Sequence, residues 1–126
     1  MTAAVLKARQ TVDEFLRIKV NRPDGATGFA VKVLFEDGTT KEHMWVNPFR
    51  ASSSGYEGVL RNDPMQLRNL RKGSQVSFSK DQITDWGYNL SGRSKGYFTA
   101  CVLIATNPQL RKSYEEQSGF QYECAL

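Results

Sequence analysis

The sequence predicts an α+β domain in which an N-terminal helix packs on a strongly bent antiparallel sheet of five or six strands. Three observations carry this prediction: helical spacing of apolar residues near the start, two alternating runs around an Asp-Gly pair, and several short apolar runs separated by Gly, Pro and Asn. Short strands with glycine-marked corners curl readily, so the sheet could form a small, partly open barrel. A chain of 126 residues is expected to form a single domain over residues 1–126.

The first helix is predicted over residues 3–17. Its apolar residues recur at helical spacing: Val5, Ala8, Val12, Phe15 and Leu16. Strict alternation of apolar and polar residues follows over 29–36, and a second run covers 40–46. Because Asp37-Gly38 lies between the two runs, they are expected to pair as a β-hairpin.

The rest of the chain predicts shorter elements. Further strands are expected over 56–60, 76–78 and the longest apolar run, 97–104. Residues 47–55 are rich in Ser, Gly and Pro, which favours a loop or a bulge. Residues 62–73 favour a turn or a short helix with Pro64 at its first position. A last helix is predicted over 109–117, and the tail from Ser118 is expected to be loose.

The composition is that of a globular protein, with 40% hydrophobic and 24% charged residues. Seventeen Lys and Arg against thirteen Asp and Glu leave a net charge of +4. The densest excess of basic residues is in the segment 61–72, which contains one acidic residue, Asp63, and four basic residues: Arg61, Arg68, Arg71 and Lys72. Because acidic residues interrupt the rest, a protein or peptide partner is favoured over nucleic acid. No run approaches the roughly 20 apolar residues of a membrane span, so no membrane partner is expected.

The two cysteines, Cys101 and Cys124, are too few for a disulfide scaffold in a chain of this size. The first nine residues have no apolar core followed by a small-residue cleavage site, so no secretory signal is predicted. These two observations favour a cytoplasmic location with both thiols reduced.

Three segments together resemble one bacterial family. The first joins LKARQTVDEF to FAVKVLFEDG, the second is KEHMWV at 41–46, and the third is YEGVLRNDPMQLRNLRKGSQVSFSKDQITDW at 56–86, followed by GYFTACVL. They resemble the family called domain of unknown function 2314. The resemblance covers residues 3–104 and leaves the C-terminal helix and tail, 109–126, outside. It implies a fold and a lineage, and it brings no catalytic residues.

The candidate site is built around His43, the only histidine of the chain. Alternate residues of a strand share a face, so His43 and Trp45 are expected on one face and Met44 on the other. Aromatic and basic side chains bind partners by stacking and cation–π contacts, which adds three residues to a candidate binding surface: Trp86, Tyr88 and Arg93. A hydrogen-bonded structural histidine, and a core position for at least one Trp, are the alternatives.

The sequence favours a non-enzymatic binding or regulatory module, with a toxin-neutralising partner in bacteria as one specific version. The alternative is a small hydrolase-like enzyme in which His43 is the general base and Asp85 orients it. The sequence shows no phosphate-binding glycine loop and no His or Cys pair at metal-ligand spacing. We therefore expect neither a cofactor nor a metal.

Overall fold

A computed structural model describes residues 2–124, which contain three α-helices and seven β-strands. This confirms the α+β class, with one or two more strands than expected. The chain forms two compact units. The first unit combines Met1–Gly28 with Asp85–Leu126, and the second is Phe29–Thr84.

The second unit contains an antiparallel ribbon of four strands, in the order β1 (Thr27–Asp37), β2 (Thr40–Ser52), β3 (Gly55–Leu60) and β4 (Gln75–Phe78). Asp37 pairs with Thr40 at the turn between β1 and β2. The predicted hairpin is thus confirmed, and its register is set by a two-residue turn. Within this unit the four described strands do not close into a barrel.

A bulge interrupts the pairing of β2 and β3 between Val46 and Phe49, where the Asn47–Pro48 peptide is cis. The opposite strand carries Gly58, because a Cβ there would lie 2.5 Å from the Pro48 carbonyl oxygen and 2.5 Å from Val46 Cγ1. Of the two alternatives for 47–55, the bulge is the one formed, and the strand runs through it.

The turn or short helix expected over 62–73 is an irregular loop with no helix. The Glu42 carboxylate accepts the backbone N–H groups of Met65, Gln66 and Leu67 at 2.7, 2.9 and 3.2 Å. Asp63 accepts the N–H of Lys72 at 2.9 Å. Side-chain acceptors therefore hold the backbone of this segment in place of helical carbonyls.

The first unit contains α1 (Thr2–Asn21), most of β5 (Ile83–Leu90), β6 (Arg93–Gly96), α2 (Phe98–Thr106), α3 (Gln109–Ser118) and β7 (Gln121–Tyr122). α1 confirms the predicted first helix and buries Ala4, Ala8, Val12 and Phe15. Strands β5 and β6 are antiparallel, whereas β6 and β7 are parallel. The sheet is thus mixed rather than purely antiparallel, and within this unit the described strands do not close into a barrel.

The prediction of a strand over 97–104 is wrong, because residues 98–104 belong to helix α2. Tyr97 adopts a left-handed conformation with φ 51° and turns the chain out of β6. The Asp85 carboxylate then accepts the N–H groups of Phe98 and Thr99 at the start of the helix. An uninterrupted apolar run has no periodicity that separates a strand from a helix, and here the distant cap favours the helix.

Two further predictions, the loose tail and the two reduced thiols, are wrong. The α3 helix ends at Gly119, and β7 pairs with β6 beyond it. Cys124 forms a disulfide with Cys101 of α2. A salt bridge of 2.9 Å joins Glu123 to Lys95. The segment after α3 is therefore attached to the first unit covalently and by strand pairing.

Candidate functional site

His43 and Trp45 lie on the same face of β2, as alternation predicts. His43 is exposed and Trp45 is half-buried, whereas Met44 between them is 3% exposed. Across the hairpin, His43 stands opposite Leu34 and Trp45 stands opposite Lys32. The second unit thus presents an imidazole and an indole together on one face of its ribbon.

A hydroxyl group orients the His43 ring. Its Nδ1 lies 3.0 Å from Oγ1 of Thr84, which is 4% exposed. The same hydroxyl lies 3.4 Å from the Lys32 carbonyl oxygen. Burial first, and then the positive charge of Lys32, lower the pKa of His43 below its usual 6.5. The ring is therefore neutral at pH 7 and is oriented by Thr84 rather than by a carboxylate.

One cation contacts the Trp45 ring, and a second basic residue is paired with the Trp45 backbone. The Lys32 ammonium lies 5.9 Å from the centre of the indole, within the range of a cation–π contact. On the other side, the Arg61 N–H donates to the Trp45 carbonyl oxygen at 2.9 Å, beside the buried pair Val46 and Leu60. Arg61 directly follows β3 and is exposed, so a second basic residue is paired through its backbone with Trp45. We call Lys32, His43, Trp45 and Arg61 the Trp45 face.

A basic loop, residues 61–74, continues from this face. Glu42 tethers it through the three backbone hydrogen bonds described above, and those bonds, with Met65 the largest, lower the pKa of Glu42. The loop carries the densest basic excess of the sequence: Arg61, Arg68, Arg71 and Lys72. Met65 at its tip is 92% exposed. The segment beside β2 therefore carries an excess of basic side chains.

The predicted orienting carboxylate, Asp85, has a structural role. It is fully buried. Its Oδ1 accepts N–H bonds from Trp86 and Phe98, and its Oδ2 accepts bonds from the N–H and the hydroxyl of Thr99. Four donors thus saturate a carboxylate that caps α2. The general acid–base pair that required His43 and Asp85 is corrected accordingly, because each group is held by other partners.

Trp86 and Tyr88, expected on the binding surface, lie in the interior with 8% and 7% exposure. Trp86 stacks on Phe15 with 4.8 Å between ring centres, and its Nε1 donates to the Thr11 hydroxyl at 3.1 Å. Both aromatic rings belong to the core of the first unit, as the alternative for one Trp had allowed. Neither is accessible to a partner in this structure.

Arg93, the last predicted binding residue, lies exposed on β6, where it pairs with Gln121 of β7. It lines an open depression that also contains Glu115 and Glu116 of α3. The lining of this depression is therefore of mixed charge. Of the five predicted binding residues, His43 and Trp45 alone are brought together on one described face.

Lys32 and Thr84 were missed by sequence reasoning, whereas Arg61 had been noted as a basic residue of the chain. A two-residue turn that pairs Asp37 with Thr40 also pairs Lys32 with Trp45, so the hairpin signal was sufficient to find Lys32. Thr84 reaches His43 from 41 positions away in the sequence, and no local pattern indicates such a contact.

Within residues 2–124, no group of three or more His, Cys, Asp or Glu side chains is arranged to hold a metal ion. None of the described helices has the length and apolar character needed to cross a bilayer.

The chain belongs to a bacterial family of uncharacterized conserved proteins, domain of unknown function 2314, whose model matches residues 1–122. The match extends past the predicted limit at residue 104 and includes α3 and β7. The resemblance seen in the sequence is confirmed, and the C-terminal segment that was placed outside it is corrected. No solved structure matches the chain.

Two curated relatives are similar to most of this chain. YegJ, an uncharacterized protein of Escherichia coli strain K12, is 32% identical over 109 residues, which cover 86% of this chain and 70% of YegJ. A putative ankyrin repeat protein of Neisseria meningitidis serogroup B is 37% identical over 101 residues, 74% of this chain and 40% of that protein. The chain thus spans less than half of the Neisseria relative.

Proposed function

We propose that this protein is a non-enzymatic binding module that recognises an acidic segment of a partner protein or peptide through the Trp45 face. The observation that carries the proposal is the half-buried indole of Trp45 with the Lys32 ammonium 5.9 Å from its ring centre, on a strand whose backbone is paired with the basic residue Arg61. Trp and Arg are enriched among the side chains that dominate binding energy at interfaces. The basic loop that continues from Arg61 gives an acidic partner favourable electrostatics and a faster encounter.

The similarity to a putative ankyrin repeat protein supports a binding role. Ankyrin repeats stack into solenoids whose concave surfaces bind other molecules. A region similar to this chain thus occurs in a protein that carries such a name, and recognition of other molecules is the function that the name suggests. The toxin-neutralising role remains one version of this proposal, and the charge of the Trp45 face would suit a toxin with an acidic surface.

The hydrolase alternative has less support. A general base needs an orienting group and a substrate proton within hydrogen-bond reach. His43 is oriented by the buried hydroxyl of Thr84, which is itself close to the Lys32 carbonyl oxygen and turned away from solvent. Asp85 is committed to the start of α2. We therefore assign His43 to the binding face rather than to catalysis.

The cytoplasmic location expected from the sequence rested on two reduced thiols, and that premise fails because Cys101 and Cys124 are bonded. Structural disulfides persist in oxidising compartments. We therefore place the protein's working environment in such a compartment. Fractionation of the native host, with thiol alkylation before lysis, tests this: reduced, alkylated protein in the cytoplasmic fraction would contradict it.

The partner class is tested by selecting binders from a random peptide display library with the full chain. We expect the enriched peptides to contain an excess of Asp and Glu. Trp45→Ala and Lys32→Glu should each abolish their binding, whereas Lys112→Glu, a control that removes an exposed cation of α3, should not. Enrichment without an acidic excess would contradict the proposal.

A nucleic-acid partner is the competing outcome of the same design. Labelled single-stranded DNA and RNA are titrated against the same variants, because stacking on Trp45 with phosphates on Lys32 and Arg61 would fit them as well. Binding of either strand at physiological salt, lost in Trp45→Ala, together with failure of the peptide selection, would replace the acidic peptide by nucleic acid.

A further inference from the structure

Helix α2 is more apolar than its burial requires. None of its nine residues is charged, and the buried ones are Thr99, Cys101 and Ile104. Leu103 is 39% exposed and Val102 is half-buried. A helix that is apolar on all sides is normally covered on all sides. Part of the α2 surface is thus left uncovered by the described residues, and a cleft lies beside it.

The cleft lies between α1 and α2, inside the first unit, and has a volume of about 260 Å³. Its walls are Ala3, Ala4, Lys7, Gly96, Phe98, Cys101 and Val102. The space remains open because the wall residues are small on the α1 side (Ala3 and Ala4) and on the opposite side (Gly96 and Cys101). Gly96 is required for backbone reasons, because its φ is +85° and a Cβ would lie 2.4 Å from the Trp86 carbonyl oxygen.

Lys7 is the one charged side chain among the residues that line this cleft. Its ammonium lies 5.7 Å from the centre of the Phe98 ring. The arrangement offers a cation at the rim and an aromatic surface below it. An anionic group would meet the ammonium while an attached apolar body covers the ring.

From this arrangement we infer that the cleft binds a small carboxylic acid with an aromatic or branched apolar body, the carboxylate on Lys7 and the body against Phe98. Ligand sites commonly measure about 300–1,000 Å³, so a cleft of about 260 Å³ takes a molecule of the size of phenylacetate. A nucleotide or a long acyl chain does not fit. A primary amine of the same shape would be repelled by Lys7.

The test is a titration of the full-length, disulfide-bonded chain, followed by amide NMR shifts. The probes are phenylacetate, its neutral amide and phenethylamine. We expect phenylacetate to shift the amides of Ala3, Lys7, Phe98 and Val102, with a Kd on the order of 1 mM for a ligand of this size. The neutral amide should bind about 2- to 5-fold more weakly, as for loss of an exposed ion pair, and the amine more weakly still.

Variants separate the charge from the shape of the cleft. Lys7→Gln should bring phenylacetate down to the affinity of the amide without changing the binding of the amide. Arg9→Gln removes a cation from the same helix outside the cleft and should change neither. Ala3→Leu, at an exposed helical position that tolerates leucine, fills the entrance and should weaken both the acid and the amide about tenfold, as expected when an apolar contact is lost.

Three results would overturn the inference: no shifts at the cleft amides, equal binding of acid and amine, or unchanged binding in Lys7→Gln. Shifts produced by a peptide with a phenylalanyl-aspartate end but not by phenylacetate would assign the cleft to a protein side chain instead. None of these outcomes depends on the Trp45 face, because Trp45→Ala should leave phenylacetate binding intact. The inference can therefore fail while the proposed function stands.

Discussion

Each of the two units is stabilised internally by a different kind of interaction. The second unit is an antiparallel ribbon whose register shifts at the bulge between Val46 and Phe49, and its loop 61–74 is held by the carboxylate of Glu42. The first unit depends on a few long-range contacts: the Cys101–Cys124 disulfide, the buried Asp85 carboxylate and the stack of Phe15 on Trp86. The stability of the first unit should therefore respond sharply to single substitutions, whereas the proposed binding face lies on the unit with distributed backbone pairing.

The sequence provides a reporter for each unit, because it contains two tryptophans. Trp86 is buried in the first unit and Trp45 is half-buried in the second. In a Trp45→Phe background, the remaining fluorescence of Trp86 reports on the first unit. In a Trp86→Phe background, the fluorescence of Trp45 reports on the second unit. The stability predictions below use the first background.

The largest effect is expected for Asp85→Ala. Removing the carboxylate leaves the N–H groups of Trp86, Phe98 and Thr99 without their acceptor in a buried site. Unsatisfied buried donors cost about 1–3 kcal/mol each and do not add fully, so we expect the free energy of unfolding to fall by about 3 kcal/mol or more. Guanidinium unfolding followed by Trp86 fluorescence measures it.

Asp85→Asn keeps one acceptor oxygen and should show a smaller loss, whereas Glu116→Ala, which removes an exposed acid of α3, should show almost none. A loss below about 1 kcal/mol in Asp85→Ala, the net value of one ordinary hydrogen bond, would contradict the assignment of Asp85 as the cap of α2. The contrast between the two units would then weaken.

The next effect concerns the disulfide. Cys101 and Cys124 are 23 positions apart, and closing a loop of that length stabilises a fold by about 3 kcal/mol through the entropy of the unfolded chain. Reduction should lower the midpoint of thermal unfolding, and the double variant Cys101→Ser/Cys124→Ser should start at the lower midpoint and show no further response to reductant. Two free thiols in protein purified without reductant would contradict the bond.

How far the sequence could predict the fold also differs between the units. The hairpin of β1 and β2 follows from alternation and one Asp-Gly turn, both of which are local. The start of helix α2 depends on Asp85, which lies 13 positions before Phe98 in the sequence. The placement of Cys124 depends on its bond to Cys101. Signals at such separations are not present in any short window, so the apolar run 97–104 was assigned to a strand and the tail was assigned no structure.

The candidate site shows the same division. Alternation on β2 was enough to place His43 and Trp45 together, and hairpin register could have added Lys32. The prediction that Trp86 and Tyr88 are exposed was wrong, because the first six residues of β5 are all buried. A strand covered on both faces loses the polar–apolar alternation from which exposure is inferred.

The smallest predicted effect is a pH dependence in the second unit. Burial and Lys32 disfavour the charged ring of His43 in the folded chain, so the unfolded chain binds the proton more tightly. The contribution to stability is complete above the unfolded pKa of 6.5 and is lost as the pH falls through the lower folded pKa. Since the chain has one histidine, its ring resonances report that pKa directly in an NMR titration.

Lys32→Gln should raise the His43 pKa without restoring 6.5, because burial is the larger of the two causes. Arg50→Gln, which removes an exposed cation from the same strand, should leave it unchanged. An acidic peptide bound to the Trp45 face would place negative charge near the ring and should raise the pKa. A folded pKa above 6.5 in the free protein would contradict both the partial desolvation of the ring and the cationic character of the face, and would remove the support for the second unit as the binding surface.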